Sequence, residues 1–119
     1  MIIEYEVIQD KSYDFAVKIV KWYKSIGKDS GASVLARQLL RCGTSIGANV
    51  EEAIGGQSRK DFFTKLTIAY KEARETKYWI KLLRDTNYIS DETANDLLND
   101  IEELLKIIGA IQRTIRNNE

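Results

Sequence analysis

The chain has 119 residues with no proline, no histidine and one cysteine, Cys42. That length suits a single domain around one core; the lone cysteine excludes an internal disulfide and fits a reducing compartment; and without histidine neither a Cys–His nucleophile pair nor a Glu-x-x-His di-iron site can be built. Formal net charge is zero but unevenly laid: residues 11–84 hold fifteen Lys/Arg against seven Asp/Glu, a net of +8, while residues 1–10 carry −3 and residues 85–119 carry −5.

A basic middle with an acidic end fits either a polyanion partner or a subunit that attracts its own copy. The first residues, Met-Ile-Ile-Glu-Tyr-Glu, are acidic where a signal peptide would be basic, and no apolar run reaches membrane-spanning length. A cytoplasmic protein without a membrane partner is the expectation.

Residues 1–10 alternate Ile3, Tyr5 and Val7 with Glu4 and Glu6. This period-two pattern reads as an N-terminal extended segment, laid in a groove or on a neighbour, with an early start to the first helix as the alternative. The bundle domain is then 11–119. Its first helix is expected from about Lys11 to Ile26, capped by Asp10 or Ser12, with Phe15, Ile19, Trp22 and Ile26 inward. Gly27 is placed to end it, and Lys28–Ala32 is a loop.

The second helix is expected from about Ser33 to Ile54, with Leu35, Leu39, Cys42, Ile46, Val50 and Ala53 on its inner seam and Gly55-Gly56 at its end. Within it, Gly43-Thr44-Ser45-Ile46-Gly47-Ala48-Asn49 is unusual, because each mid-helix glycine costs about 1 kcal/mol relative to alanine. Close approach of another helix is the leading reading and a bend the next. A phosphate cradle lacks its strand and its Gly-Lys-Ser/Thr, and Arg41, Glu51 and Glu52 exclude a membrane dimer motif. Cys42 on the seam reads as a small core residue.

From Phe62 onward, apolar or small residues recur in steps of four and three. One run is Phe62, Leu66, Ala69, Ala73, Thr76, Ile80, Leu83; the other is Ala94, Leu97, Ile101, Leu104, Ile108, Ile111, Ile115. Both are seams of long helices packed near (anti)parallel to others. Ser58 with Asp61 resembles a capping box for the third helix, Asn87 closes it, and Ser90 with Asp91 and Glu92 opens the fourth. Short connections make neighbours antiparallel, so the fold class is all-α, an up-down-up-down four-helix bundle.

Two flanks of the third helix carry the candidate sites. Ile68, Glu72, Glu75, Trp79 and Leu82 form a second four-three stripe, read as an oligomer interface or as a thick core edge. Lys71, Arg74, Lys77, Lys81 and Arg84, with Arg59 and Lys60 at the helix start, form a cationic set suited to phosphates, with Arg37 and Arg41 on the second helix behind it. Tyr70 and Tyr78 lie among them and could stack bases; a plain solvated face competes. In a third reading, the acidic face of helix four (Asp96, Asp100, Glu103) receives the basic third helix of another copy, head to tail. An acid–base pair from Glu72 and Glu75 has no accompanying pocket chemistry, so no catalytic residue, metal or cofactor is assigned.

Lys11-Ser12-Tyr13-Asp14-Phe15-Ala16, the stretch from Gln38 through Arg41-Cys42-Gly43-Thr44-Ser45-Ile46-Gly47-Ala48-Asn49 to Ala53, Ser58-Arg59-Lys60-Asp61-Phe62 and Lys71-Glu72-Ala73-Arg74-Glu75-Thr76-Lys77-Tyr78-Trp79 together resemble the bacterial four helix bundle protein family, also called 23S rRNA-intervening-sequence proteins. The resemblance spans nearly the whole chain from Lys11. It implies an antiparallel bundle assembled as a pentameric ring, and a distant similarity to the accessory variability determinant of diversity-generating retroelements, which binds nucleic acid and a reverse transcriptase through a basic surface. Where many members read Ser-Ile-Pro-Ala-Asn followed by Ala-Glu-Gly, this chain has Gly47 and Glu52-Ala53. The expectation is a non-enzymatic homo-oligomeric scaffold that binds RNA or a nucleic-acid-handling protein. The alternative is a protein–protein adaptor whose charged faces serve only subunit assembly.

Overall fold

In the computed structural model, which describes residues 2–26 and 31–118, the chain forms four helices: α1 (Ile2–Ser25), α2 (Ser33–Ile54), α3 (Arg59–Asp85) and α4 (Asp91–Asn117). The sequence marks the starts of α3 and α4 and the end of α3. Ser58 accepts a hydrogen bond from the Asp61 backbone N–H at 3.0 Å, and Ser90 accepts one from Thr93 N–H at 3.1 Å, each satisfying a donor left over in a first turn. Asn87 takes the left-handed conformation, φ 67°, one of the few residue types that enters it at modest cost. The turn expected at Gly27 and the loop residues up to Ser30 lie outside the described residues.

The helices form an antiparallel up-down-up-down bundle measuring 49 × 21 × 19 Å, in which α1 packs on α2 and α4, and α3 packs on the same two helices from the other side. The four-three stripes point inward. Leu66, Ala69, Ala73, Thr76, Ile80 and Leu83 of α3 are buried, as are Ala94, Leu97, Ile101, Leu104, Ile108, Ile111 and Ile115 of α4. On α2 the buried set is Ala36, Leu39, Cys42, Gly43, Ile46, Val50 and Ala53; Leu35 sits at the core edge. The buried polar residues Thr76 and Gln112 both find hydrogen-bond partners within the bundle. Thr76 Oγ1 donates to Glu72 O at 2.7 Å, and Gln112 Nε2 donates to Thr67 Oγ1 at 2.9 Å across α3 and α4.

The extended N-terminal segment expected over 1–10 is instead helix from Ile2. Period two is a poor guide here because Tyr5, Ile8, Ser12, Phe15, Ile19 and Trp22 also run at three-four spacing, the helical seam. Ile8, Ser12, Phe15 and Ile19 are buried, and the Tyr5 ring lies 4.7 Å from the Phe62 ring. Ser12 and Asp10 are therefore mid-helix rather than caps; Ser12 Oγ bonds back to Gln9 O at 3.2 Å.

The glycine-rich stretch of α2 is where α1 comes closest. A Cβ on Gly43 would stand 3.0 Å from Ile19 Cγ1, and one on Gly47 would stand 3.3 Å from the Ser12 carbonyl oxygen. The helix-propensity cost of these two glycines is offset by the packing they permit.

Candidate nucleic-acid interface

Polar residues beside the α3 seam divide by side. Toward α2 they form a closed network. Arg41 of α2 bonds Glu72 Oε2 at 3.4 Å and also bonds Glu75 Oε2; Ser45 Oγ donates to Glu72 Oε2 at 2.8 Å; and Trp79 Nε1 donates to Glu75 Oε2 at 2.9 Å. Glu72, Glu75 and Trp79 of the expected interface stripe are thus spent on contacts within the chain. Ile68 remains at the surface, and Leu82 borders the groove on the far side. Arg41, neutralised by two carboxylates, does not join the cationic set. Cys42 lies buried beneath, and loss of hydration pushes its thiol up to about 11.

Toward α4 the arrangement is open. Two abutting recesses, of about 710 and 700 Å³, run between the outer faces of α3 and α4 and share Tyr70, Gly109 and Arg113. Arg74, Lys77, Lys81, Lys106 and Arg113 line the first, with Tyr78, Leu82, Leu105, Asp85 and Glu102. Phe63, Thr67, Lys71, Gln112 and Arg116 complete the second. Among the described residues the combined groove therefore carries seven cations against two carboxylates. Both carboxylates are engaged: Lys77 Nζ lies 2.5 Å from Glu102 Oε1, and Arg84 Nε lies 2.8 Å from Asp85 Oδ1. The Lys77 ammonium holds the Glu102 carboxyl below its usual range, although its approach is off the hydrogen-bond line. Among the described residues, Lys71, Arg74, Lys81, Lys106 and Arg113 have no carboxylate within 4 Å. Their charge faces the groove and solvent. Arg116 caps the lower end, its guanidinium carbon 5.6 Å above the Phe63 ring centre.

Of the seven residues expected to contact phosphate, Lys71, Arg74, Lys77 and Lys81 line this groove. Arg59 and Lys60 are exposed at the first turn of α3, outside it, and Arg84 is tied to Asp85. Three groove cations, Lys106, Arg113 and Arg116, lie on α4 and fall outside the expected set. Their signal is in the sequence: Glu102, Lys106, Gly109, Arg113 and Arg116 follow four-three spacing, a stripe hidden by the −5 net charge of residues 85–119.

The acidic residues of α4 occupy its other flank. Asp96 and Asp100 accept from Lys18 Nζ at 3.1 and 2.7 Å, and Glu103 pairs with Lys11 at 3.1 Å. The Asp100 hydrogen bond, outweighing partial burial, raises the Lys18 ammonium above its ordinary value. That acidic face, read as a dock for another copy's third helix, is met by α1 of the same chain. Among the described residues no group of three or more Cys, Asp or Glu side chains is placed to hold a metal ion, and no described helix is long and apolar enough to cross a membrane.

Comparison with known proteins agrees with this architecture. A crystal structure from Bacteroides thetaiotaomicron, titled as a protein with unknown function from the S23 ribosomal protein family, is 46% identical; the match covers 92% of this chain and 98% of that one, with a TM-score of 0.88. No curated protein sequence matches. The family described as 23S rRNA-intervening sequence protein matches residues 4–110, and the chain belongs to that family.

Proposed function

We propose that the chain is a non-enzymatic, homo-oligomeric accessory protein of the cytoplasm that binds RNA along the groove between α3 and α4. The observation that carries this is the sorting of charge. Zero net charge resolves into one face where lysines and carboxylates neutralise each other (α1 with α4) and another where seven cations flank an aromatic floor. Phe63 and Tyr70 pack partly on the core and still border the groove, and Tyr78 stands exposed among its cations. A polyanion with π-faces satisfies both features.

The test is the salt dependence of binding to a fluorescent RNA. Affinity is expected to fall steeply from about 50 to 200 mM salt, and Lys71→Glu with Lys81→Glu to reduce the log–log slope by about 0.7 for each phosphate left without its cation. No binding at the lowest salt would retire the proposal. The protein-adaptor alternative is favoured by one observation, the exposed Ile68 beside the half-buried Trp79 on the opposite flank of α3. It predicts that Ile68→Glu alters particle mass and that no RNA binding is measured at any salt.

A further inference from the structure

Among the described residues three glycines interrupt helix interiors, and two are explained by packing. Gly43 and Gly47 admit α1 so closely that a Cβ would meet buried Ile19 or the Ser12 backbone. Gly109, midway along α4, is different. A Cβ there would lie 3.4 Å from Arg113 Nη1, the mobile tip of a side chain on its own helix, and 3.8 Å from Tyr70 Cε2. Both are ordinary contacts. No backbone of a neighbouring helix approaches, so the penalty of a mid-helix glycine is not offset by packing. What the missing side chain does provide is an open floor at the point where the two recesses meet, between the Tyr70 ring and the Arg113 guanidinium. Glycine inside a helix has a second established use, the close approach of a ligand.

Resting on the RNA reading above, we propose that the Tyr70–Gly109–Arg113 notch seats one unpaired base, and that the groove therefore takes single-stranded RNA and discriminates against duplex. An aromatic ring and a planar cation, two groups that stack on bases, border the notch on either side of Gly109, while Arg74 and Lys71, one helical turn apart on α3, are placed for the flanking phosphates. A paired strand keeps its base faces in its own stack and can offer only backbone and edges.

The experiment measures binding of the full chain, at fixed low salt, to three labelled probes: a single-stranded oligouridine 12-mer, a duplex with the same number of phosphates, and a 12-mer with abasic linkers. The single strand is expected to bind about tenfold or more tightly than either other probe. Gly109→Leu, which fills the notch, is expected to erase that preference; Gly109→Ala should erase part of it. Circular dichroism melting reports folding, and both variants should melt no lower than the parent because a glycine leaves the helix interior. Equal affinity for all three probes overturns the base seat and leaves the RNA groove standing. A Gly109→Leu variant that melts normally and keeps the full preference also overturns it. Absence of binding to every probe overturns both proposals.

Discussion

At the scale of single residues, the contrast between Gly43 and Gly109 is the sharpest test of the packing. Adding a methyl at Gly43 drives it against Ile19 Cγ1 and Cγ2, atoms close to a buried branch point that cannot swing away. Overpacking of this kind costs about 1–3 kcal/mol, set against a helix-propensity gain of about 1 kcal/mol. Gly43→Ala is expected to be neutral to about 2 kcal/mol destabilising in urea titration, whereas Gly109→Ala should stabilise by up to about 1 kcal/mol. Pairing Gly43→Ala with Ile19→Ala should cost less than the sum of the two single changes, because the cavity left by one receives the methyl of the other. Strict additivity would mean that α1 and α2 do not meet at this point. Cys42 supplies a pH dependence. Burial raises its thiol from an ordinary value of 9.0 to about 11, so the folded state favours the protonated form. That contribution is complete below pH 9.0 and is lost as pH rises toward 11. Stability should therefore decline between those limits more steeply in the parent than in Cys42→Ala. The native thiol should also resist a water-soluble disulfide reagent at pH 8 until the bundle opens.

At the scale of elements, the seams of α2, α3 and α4 were legible because burial in a bundle is periodic and periodicity survives in sequence. The caps at Ser58 and Ser90 were legible for a related reason: they solve a local hydrogen-bonding problem that the sequence alone poses. The start of α1 was not legible. Three alternating apolar residues satisfy a strand pattern, and only the longer register from Tyr5 to Trp22 reveals the helix. The groove was half legible. Cations of α3 stood out in a segment of positive average charge, while those of α4 vanished into a negative one, since averaging along the chain mixes opposite faces of a helix. Nor could sequence say that Glu72 and Glu75 would turn toward Arg41. That depends on which flank of α3 meets α2, a property of helix rotation rather than of spacing. The network makes a prediction at this scale. Arg41→Ala leaves two carboxylates one turn apart without their shared cation and is expected to destabilise the bundle by about 1 kcal/mol, the modest value proper to a half-exposed arginine. Arg41→Ala combined with Glu75→Gln should recover most of that loss in thermal or urea unfolding. If the double variant is no better than the single one, the arginine matters through its packing and not its charge.

At the scale of the whole molecule, the two flanks of α3 lie on opposite sides of a rod 49 Å long, so a subunit contact through Ile68 and an RNA contact through the groove would not compete. A closed ring built on the α2–α3 flank would display one groove per copy. Several weak grooves on one particle convert later encounters with a long strand into intramolecular ones, multiplying apparent affinity while each groove binds as before. The prediction compares two RNA lengths and two states of assembly. In the parent, a single strand long enough to span several grooves should bind at least about tenfold more tightly than a 12-mer. Ile68→Glu places a charge on a surface residue outside the core, so it should lower the particle mass seen by native mass spectrometry while circular dichroism shows the bundle still fully helical. In that variant the advantage of the long strand should shrink to the statistical factor for overlapping sites, while 12-mer affinity stays the same. An unchanged mass would remove Ile68 from the subunit contact. A reduced mass with an undiminished long-strand advantage would show that each bundle holds its RNA alone, and that the purpose of assembly lies elsewhere.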